Sequence, residues 1–122
     1  MDFHATILDA AGIEADPSNQ PDGNSLTGLL TGTSSLKRDA IYFHYPNYAL
    51  HKKNRPGSAI RHGNFKLIKF YDDNSVELYN LRDDLSESKD LSKSMPDKAT
   101  ELKNKLEIWI SETDAKVPAA TN

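Results

Sequence analysis

The strongest constraint on the fold is a series of three strand-like runs joined by very short turn-forming segments. The runs are rich in β-branched, aromatic and other apolar residues, and they span residues 58–61, 65–71 and 76–81. The connections at 62–64 and 72–74 contain Gly, Asn and Asp, and they are too short for a crossover between parallel strands. The pattern therefore predicts an antiparallel meander.

A fourth strand is predicted at residues 40–45, where the sequence AIYFHY is β-branched and aromatic and ends at Pro46. Because side chains alternate along a strand, Ile41, Phe43 and Tyr45 share one face. Tyr42 and His44 share the other face.

A long helix is predicted near the C-terminus. Ser94 is the expected N-cap, with Pro96 in the first turn and Asp97 placed as in a capping box. The positions with helical spacing are Ala99, Leu102, Leu106, Trp109, Ile110 and Thr113. We expect this helix to lie across one face of the sheet.

The first 35 residues predict a helix and a loop. Phe3, Ile7, Leu8 and Ala11 fall on one helical face over residues 2–11, and Gly12 follows as a left-handed C-cap. Residues 26–32 favour a short helical turn with Leu26, Leu29 and Leu30 packing inward. The expected fold class is α+β: a small antiparallel sheet of three to four strands packed with a long C-terminal helix, preceded by an N-terminal helix and loop.

Composition excludes several classes of protein. The chain of 122 residues has a net charge of −3 and no basic stripe, so nucleic acid is not the expected partner. No apolar run approaches the roughly 20 residues that cross a bilayer, and the N-terminus lacks a signal-peptide pattern. With no cysteine, the chain has no disulfide and no thiol nucleophile, and its redox compartment stays open.

An ordered set of segments resembles the C-terminal portion of type I sulfatases, which are arylsulfatase-like members of the alkaline-phosphatase-like hydrolase superfamily. The segments are DFHATIL at 2–8, PDGNSL at 21–26, SAIR at 58–61, FKLI at 65–68 and ELYNL at 77–81. The resemblance implies that residues 1–35 end the large sulfatase domain and that 36–117 form the C-terminal subdomain. Residues 118–122 are expected to be a disordered tail.

The catalytic motifs of the resembled family do not occur in this chain. Sulfatases of this type oxidise a residue of a Cys/Ser-x-Pro-x-Arg motif to formylglycine and bind calcium with acidic residues, and neither set is present. The resemblance therefore implies a fragment of a sulfuric ester hydrolase that supplies scaffold and part of the substrate cleft, without catalysing alone. It predicts no cofactor in this chain, since formylglycine and calcium would belong to the missing domain.

The resemblance also suggests where the chain would meet substrate. His44 resembles a histidine that reaches the sulfate pocket in several sulfatases; a strand histidine bonded to a neighbouring strand, or exposed to water, is the alternative. The predicted substrate-binding residues of the intact enzyme are His44, Tyr45, Asn47, His51 and Arg61.

Tyr45, Asn47 and His51 belong to an aromatic and basic loop that also includes Tyr48, Lys52, Lys53 and Arg55, and it suits a sulfated small molecule or glycan. An ordinary solvated loop is the alternative. Arg61 could clamp an anion, although a strand position favours an ion pair with a carboxylate such as Glu77.

The sequence is also compatible with two other functions. The chain could be a stand-alone binding module for anionic glycans. It could also self-associate as a homo-oligomer, through apolar surface that the large domain would otherwise cover. Localisation stays unknown, although the resembled enzymes are often periplasmic, secreted or lysosomal.

Overall fold

The computed structural model describes residues 1–19, 22–36, 38–47 and 54–118. It divides into two compact units, Met1–Arg38 and Asp39–Asn122. Residues 119–122, in the predicted disordered tail 118–122, lie outside the described residues. Within the part of the chain described, no helix is both long enough and apolar enough to cross a membrane.

The larger unit contains one antiparallel four-stranded sheet in the order β1-β2-β3-β4. The strands are β1 (Ala40–Tyr45), β2 (Gly57–His62), β3 (Phe65–Phe70) and β4 (Val76–Asn80). Gly63 has φ +57, a left-handed conformation that glycine adopts without steric cost in the tight turn between β2 and β3. The predicted meander and the fourth strand are confirmed, and with them the α+β class.

The core lies between the sheet and one helix. Ile60, Leu67 and Leu78 stand opposite one another across β2, β3 and β4. They pack against Ala99, Leu102 and Leu106 of the long C-terminal helix Pro96–Glu112, called α3 because two shorter helices precede it. Positions three and four residues apart share one face of a helix, so these three residues form a single apolar stripe. The predicted helix across one sheet face is confirmed.

An aromatic stack extends this core over the first strand. The rings of Tyr42 and Trp109 lie parallel, with centroids 4.8 Å apart and an interplanar angle of 3°. Trp109 continues the helical stripe one turn beyond Leu106. The stack therefore fixes β1 against the same helix that covers the other three strands.

The start of α3 differs from the sequence prediction. Its N-cap is Met95, and no side chain caps the helix, so the predicted Ser94 cap and the capping box with Asp97 are wrong. The Ser94 hydroxyl instead donates to the Leu91 carbonyl at 3.2 Å, which also accepts the Met95 N–H at 2.8 Å. The Ser94 hydroxyl is therefore engaged in the turn that precedes the helix, and it caps none of the first helical N–H groups.

The smaller unit contains two helices, α1 (Asp2–Ala10) and the one-turn α2 (Thr27–Leu30). Gly12 follows α1 with φ +67, so the predicted left-handed residue is confirmed. The prediction that Leu29 and Leu30 pack inward is wrong, because they are 54% and 75% exposed. Polar contacts hold α2 near α1 instead, since the Leu26 N–H donates to Thr6 Oγ1 at 2.9 Å.

We predict that Leu102→Ala lowers the free energy of unfolding by about 2–5 kcal/mol, because it opens a cavity in a fully buried layer. Urea unfolding followed by circular dichroism measures the change. Ile108→Ala is the matched control on the exposed side of α3 and should change stability by no more than about 0.5 kcal/mol. Equal losses in the two variants would contradict the assignment of the core.

Candidate functional site

The sheet face turned away from α3, called here the helix-distal face, carries a groove of about 450 Å³. Strand register builds it, because Tyr45 pairs with Gly57 and Phe43 pairs with Ala59. The residues that line it come from all four strands or the loops that follow them: Phe43, Tyr45, Arg55, Gly57, Ser58, Ala59, Arg61, Lys66, Ile68, Phe70, Leu81 and Glu87. The groove is therefore a largely apolar surface with charged groups at its ends.

One end of the groove is aromatic. Gly57 lies between Tyr45 and Phe70 in the register, and a Cβ at Gly57 would come within 2.7 Å of the Lys69 carbonyl oxygen. The guanidinium of Arg55 lies 3.9 Å from the centroid of the Phe70 ring. Glycine is thus required at position 57 because the backbone of β3 passes too close for a side chain.

The charge of Arg55 is already compensated. Its guanidinium donates to Asp72 at 2.8 and 2.5 Å and lies 2.7 Å from an oxygen of Asp73. The hydrogen bond from Arg55 lowers the pKa of Asp72. Hydrogen bonds from Ser75, with a smaller contribution from Arg55, lower the pKa of Asp73 to about 2. An anion that approached Arg55 would have to compete with two ionised carboxylates.

Arg61 lies at the opposite end of the groove, and its charge is not compensated in this way. Among the described residues it forms no salt bridge, and the predicted pairing with Glu77 is wrong. Register explains the difference, because Arg61 stands across from Lys66 whereas Glu77 stands across from Ile68. Arg61 is therefore an exposed cation that has no carboxylate partner among the described residues.

The carboxylates of Glu87 and Glu77 have other partners. Glu87 accepts two hydrogen bonds from the Lys66 ammonium, at 2.7 and 2.8 Å. Glu77 accepts a hydrogen bond from the Tyr79 hydroxyl at 2.9 Å. Burial, and then this contact with Glu77, raises the pKa of Tyr79 to about 12. Lys66 is thus neutralised, and Arg61 is left as the open cation at this end.

His44 lies on the other side of the sheet, the side that faces α3. Its Nδ1 is 2.7 Å from the Ser58 hydroxyl, and its Nε2 is 3.1 Å from the Lys116 carbonyl oxygen. The Ser58 hydroxyl is in turn 2.6 Å from the Tyr71 hydroxyl. Since a carbonyl oxygen only accepts, Nε2 carries a proton and donates to it, and in the neutral imidazole Nδ1 then accepts a hydrogen bond from a hydroxyl.

The structure therefore brings together only some of the predicted site residues. Tyr45 and Arg61 line the helix-distal groove, and Asn47 is exposed just beyond the end of β1. His44 points to the opposite face, where both ring nitrogens have partners. His51, with Tyr48, Lys52 and Lys53 of the predicted loop, lies outside the described residues.

Sequence reasoning missed the partners of His44. The sequence predicts a strand at Ser58, but its position opposite His44 follows only from the register between β1 and β2. Tyr71 lies just after β3, and its ring packs edge-on to the imidazole with centroids 6.0 Å apart. The one available signal was alternation, which already placed His44 on the same face as the core residue Tyr42.

No metal site is present among the described residues, which contain no group of three His, Asp or Glu side chains suited to hold an ion. Asp72 and Asp73, the most concentrated carboxylates near the groove, are occupied by Arg55 and Ser75. The described residues thus do not fit the calcium that the sequence resemblance implies for a complete enzyme.

Comparisons with known proteins agree on one family. A family model described as N-sulphoglucosamine sulphohydrolase, C-terminal, matches residues 1–116. A sulfatase of Formosa agariphila is 33% identical over 94% of this chain and 23% of its own length. An N-acetylglucosamine-6-O-sulfatase of Bacteroides thetaiotaomicron is 35% identical over 69% of this chain and 15% of its own length.

A solved structure shares the fold as well. It contains a protein in complex with its substrate D-glucosamine-2-N,6-O-disulfate, and the match has a TM-score of 0.76 at 32% identity. The match covers 94% of this chain and 24% of that protein. This chain therefore spans about a quarter or less of the length of the relatives it matches.

We predict that Ser58→Ala lowers the free energy of unfolding by about 1–2 kcal/mol, because it removes a buried hydroxyl that links His44 to Tyr71. Chemical unfolding at neutral pH measures the loss. Ser111→Ala is the matched control at an exposed position of α3, with an expected change within about 0.5 kcal/mol. If the two serine variants are equally stable, the network contributes nothing to the fold.

The low pKa of Asp73 gives a pH prediction. Its folded-state value of about 2 lies below the ordinary 3.8, so its stabilising contribution is complete above 3.8 and is lost as the pH falls towards 2. A ¹³C NMR titration of the Asp73 carboxyl should show this low midpoint. Ser75→Ala should move the midpoint towards 3.8, while Ser86→Ala should leave it in place. A midpoint near 3.8 in the unmodified chain would contradict the observed hydrogen bonds.

Proposed function

Because this chain belongs to the family of N-sulphoglucosamine sulphohydrolase C-terminal domains, we propose that it serves as the C-terminal subdomain of an enzyme that hydrolyses sulfuric esters. The observation that carries the proposal is the match to sulfatases over nearly all of the chain, in a sequence without the nucleophile motif. Its role is to supply scaffold and part of the substrate cleft. Bond cleavage depends on groups outside these residues.

The reacting groups are assigned to the larger portion of the relatives that this chain does not match. Formylglycine needs a cysteine or serine in a Cys/Ser-x-Pro-x-Arg motif, and the sequence contains no such motif. In the resembled family, formylglycine supplies the nucleophile and calcium stabilises sulfate charge. The side chains described here bind, orient or support, and none is assigned a step in the attack on sulfur.

The proposed substrate is a sulfated glycan. Two matched proteins support this class, since one is an N-acetylglucosamine-6-O-sulfatase and the other was solved with a disulfated glucosamine. In this chain Tyr45 offers a half-exposed phenol and Asn47 an exposed amide beside the loop after β1. His51 is included by its place in the same loop. An aromatic ring suits the apolar face of a sugar, and an amide donates to sulfate or hydroxyl oxygens.

Arg61 is proposed as a second contact for substrate, because its guanidinium is not neutralised by a described carboxylate. Planar guanidinium groups bind tetrahedral oxyanions through two parallel hydrogen bonds. Gly57, the partner of Tyr45, lies four residues before Arg61 on β2, which corresponds to about 13 Å along the strand. A ligand that contacts both Tyr45 and Arg61 is therefore longer than a single sugar ring.

His44 is proposed to act in the scaffold. Both of its ring nitrogens are engaged, one by Ser58 and one by the Lys116 carbonyl, and the ring also lies edge-on to Trp109. A histidine that bonds sulfate would have to give up one of these contacts. With these contacts intact, His44 holds β1, and with it Tyr45, in place.

The alternative function is a small stand-alone module that binds anionic glycans. The groove, with its half-exposed aromatics and open Arg61, is the observation that favours it. Titration of the isolated chain with heparin oligosaccharides separates the two readings. The subdomain reading expects no appreciable binding, because one wall of a cleft gives few contacts.

A hybrid enzyme tests the main proposal. In the N-acetylglucosamine-6-O-sulfatase of Bacteroides thetaiotaomicron, the aligned 69% of this chain replaces the matching segment. We expect the hybrid to release sulfate from N-acetylglucosamine 6-sulfate, as measured by ion chromatography. Arg61→Ala in the hybrid should raise KM about tenfold, as expected when a hydrogen bond to a charged group is lost.

Two controls accompany the hybrid. Arg82→Ala removes an exposed arginine in the turn after β4, outside the groove, and should leave KM unchanged. The isolated chain should release no sulfate above background, with or without calcium. A hybrid that melts cooperatively yet releases no sulfate would contradict the subdomain assignment, and equal KM values for the two arginine variants would remove Arg61 from the substrate site.

A further inference from the structure

The two edge strands of the sheet, β1 and β4, differ in whether other segments of the chain bond to their outer edges. At the outer edge of β4, the Leu78 N–H donates to the Asp90 carboxylate at 3.0 Å. The Leu78 carbonyl accepts the Leu91 N–H at 2.7 Å. The segment that leads to α3 thus satisfies the middle of this edge and places a charge beside it, which is how proteins prevent edge-to-edge pairing.

The outer edge of β1 has no such cover within the described residues. Outside the sheet ladder, none of their backbone hydrogen bonds involves a residue of Ala40–Tyr45. The strand AIYFHY contains no Lys, Glu, Asp or Pro, the residues that protect most exposed edges. High β-propensity, no formal charge and no proline over six residues is the composition that favours pairing with another strand.

We propose that β1 pairs with β1 of a second copy of this chain, antiparallel and around a two-fold axis at Phe43. A two-fold axis perpendicular to the sheet leaves the helix-distal faces of both copies on the same side. Residues of that face in one copy therefore lie opposite residues of the same face in the other. Phe43 then faces the partner's Phe43, and Ile41 faces the partner's Tyr45. The two four-stranded sheets join into one sheet of eight strands.

This register follows from the distribution of apolar side chains. Ile41, Phe43 and Tyr45 all lie on the helix-distal face and are exposed, and the axis at Phe43 pairs all three with one another. Moving the axis by one residue, to Tyr42, would set Tyr45 opposite Asp39. Moving it to His44 would set Ile41 opposite Asn47, which lies beyond the end of β1, and only Phe43 and Tyr45 would still face each other.

Contacts on the α3 side also restrict the conformation of β1. Tyr42 stacks on Trp109, and His44 is bonded to Ser58 and the Lys116 carbonyl, so the α3 side of β1 is already fixed. Little conformational freedom is lost when a second strand adds to such an edge. No like charges are opposed, because β1 contains no Asp, Glu, Lys or Arg.

Sedimentation of the intact chain over a range of concentrations is the first test, and we expect a monomer–dimer equilibrium. Phe43→Lys would place two ammonium groups opposite each other at the axis and should raise the dimer dissociation constant by about tenfold or more. Ile108→Lys is the matched control, since Ile108 is 57% exposed on α3 and Phe43 is 56% exposed on β1. It should leave the constant unchanged.

A pair of substitutions tests the register itself. Ile41→Lys and Tyr45→Glu should each weaken the dimer when made alone. Together in one chain they should restore it, because the new lysine of each copy faces the new glutamate of the other. Ile41→Lys combined with Phe43→Glu is the control, since it opposes two glutamates at the axis and should stay weak.

Hydrogen exchange of the unmodified chain gives a measurement without substitutions. Amide exchange in residues 40–45 should slow as the protein concentration rises, while exchange at β4 should not change. A strictly monomeric chain at high concentration would overturn the proposal. So would a dimer insensitive to Phe43→Lys, which would be built on another surface, or a double variant Ile41→Lys/Tyr45→Glu that binds no more tightly than the single variants.

Discussion

Burial of one helix stripe against one sheet face organises the larger unit. Leu102 and Leu106 have no exposed surface, and neither has Leu67 in the middle of the sheet. Because α3 covers one face only, every side chain that alternates away from it is left on the helix-distal face. The groove, its aromatic end and its cationic end are therefore consequences of where the helix lies.

The same packing explains the role of His44. A histidine on the face covered by α3 is surrounded by the end of that helix and by neighbouring strands, so its nitrogens find local partners. Ser58 is 2% exposed, and a hydroxyl so deeply placed needs a hydrogen bond to offset its loss of water. His44 and Tyr71 supply it. Fixing the strand in this way also sets the direction of Tyr45, the next residue, towards the opposite face.

Much of this fold could be predicted from the sequence. The strand at 40–45 follows from its β-branched and aromatic residues and from the proline after it. The helical stripe at 99, 102 and 106 follows from its spacing of three and four residues, which is a direct consequence of helix geometry. The N-cap of α3 could not be predicted, since Ser94 has two acceptable uses and the preceding turn takes the hydroxyl first. Leu29 and Leu30 show a related limit, because a helix of one turn has no periodic face from which burial can be inferred.

The candidate site was harder to predict than the fold because it depends on register. Arg55 and Arg61 are the same residue type six positions apart, yet one is held by two carboxylates and the other by none in the described chain. Which carboxylate an arginine can reach is decided by which strand residue stands opposite, and a shift of two residues moves Glu77 away from Arg61. Composition predicts that cations and aromatics lie near the groove. Only the pairing of the strands decides which cation is free to meet an anion.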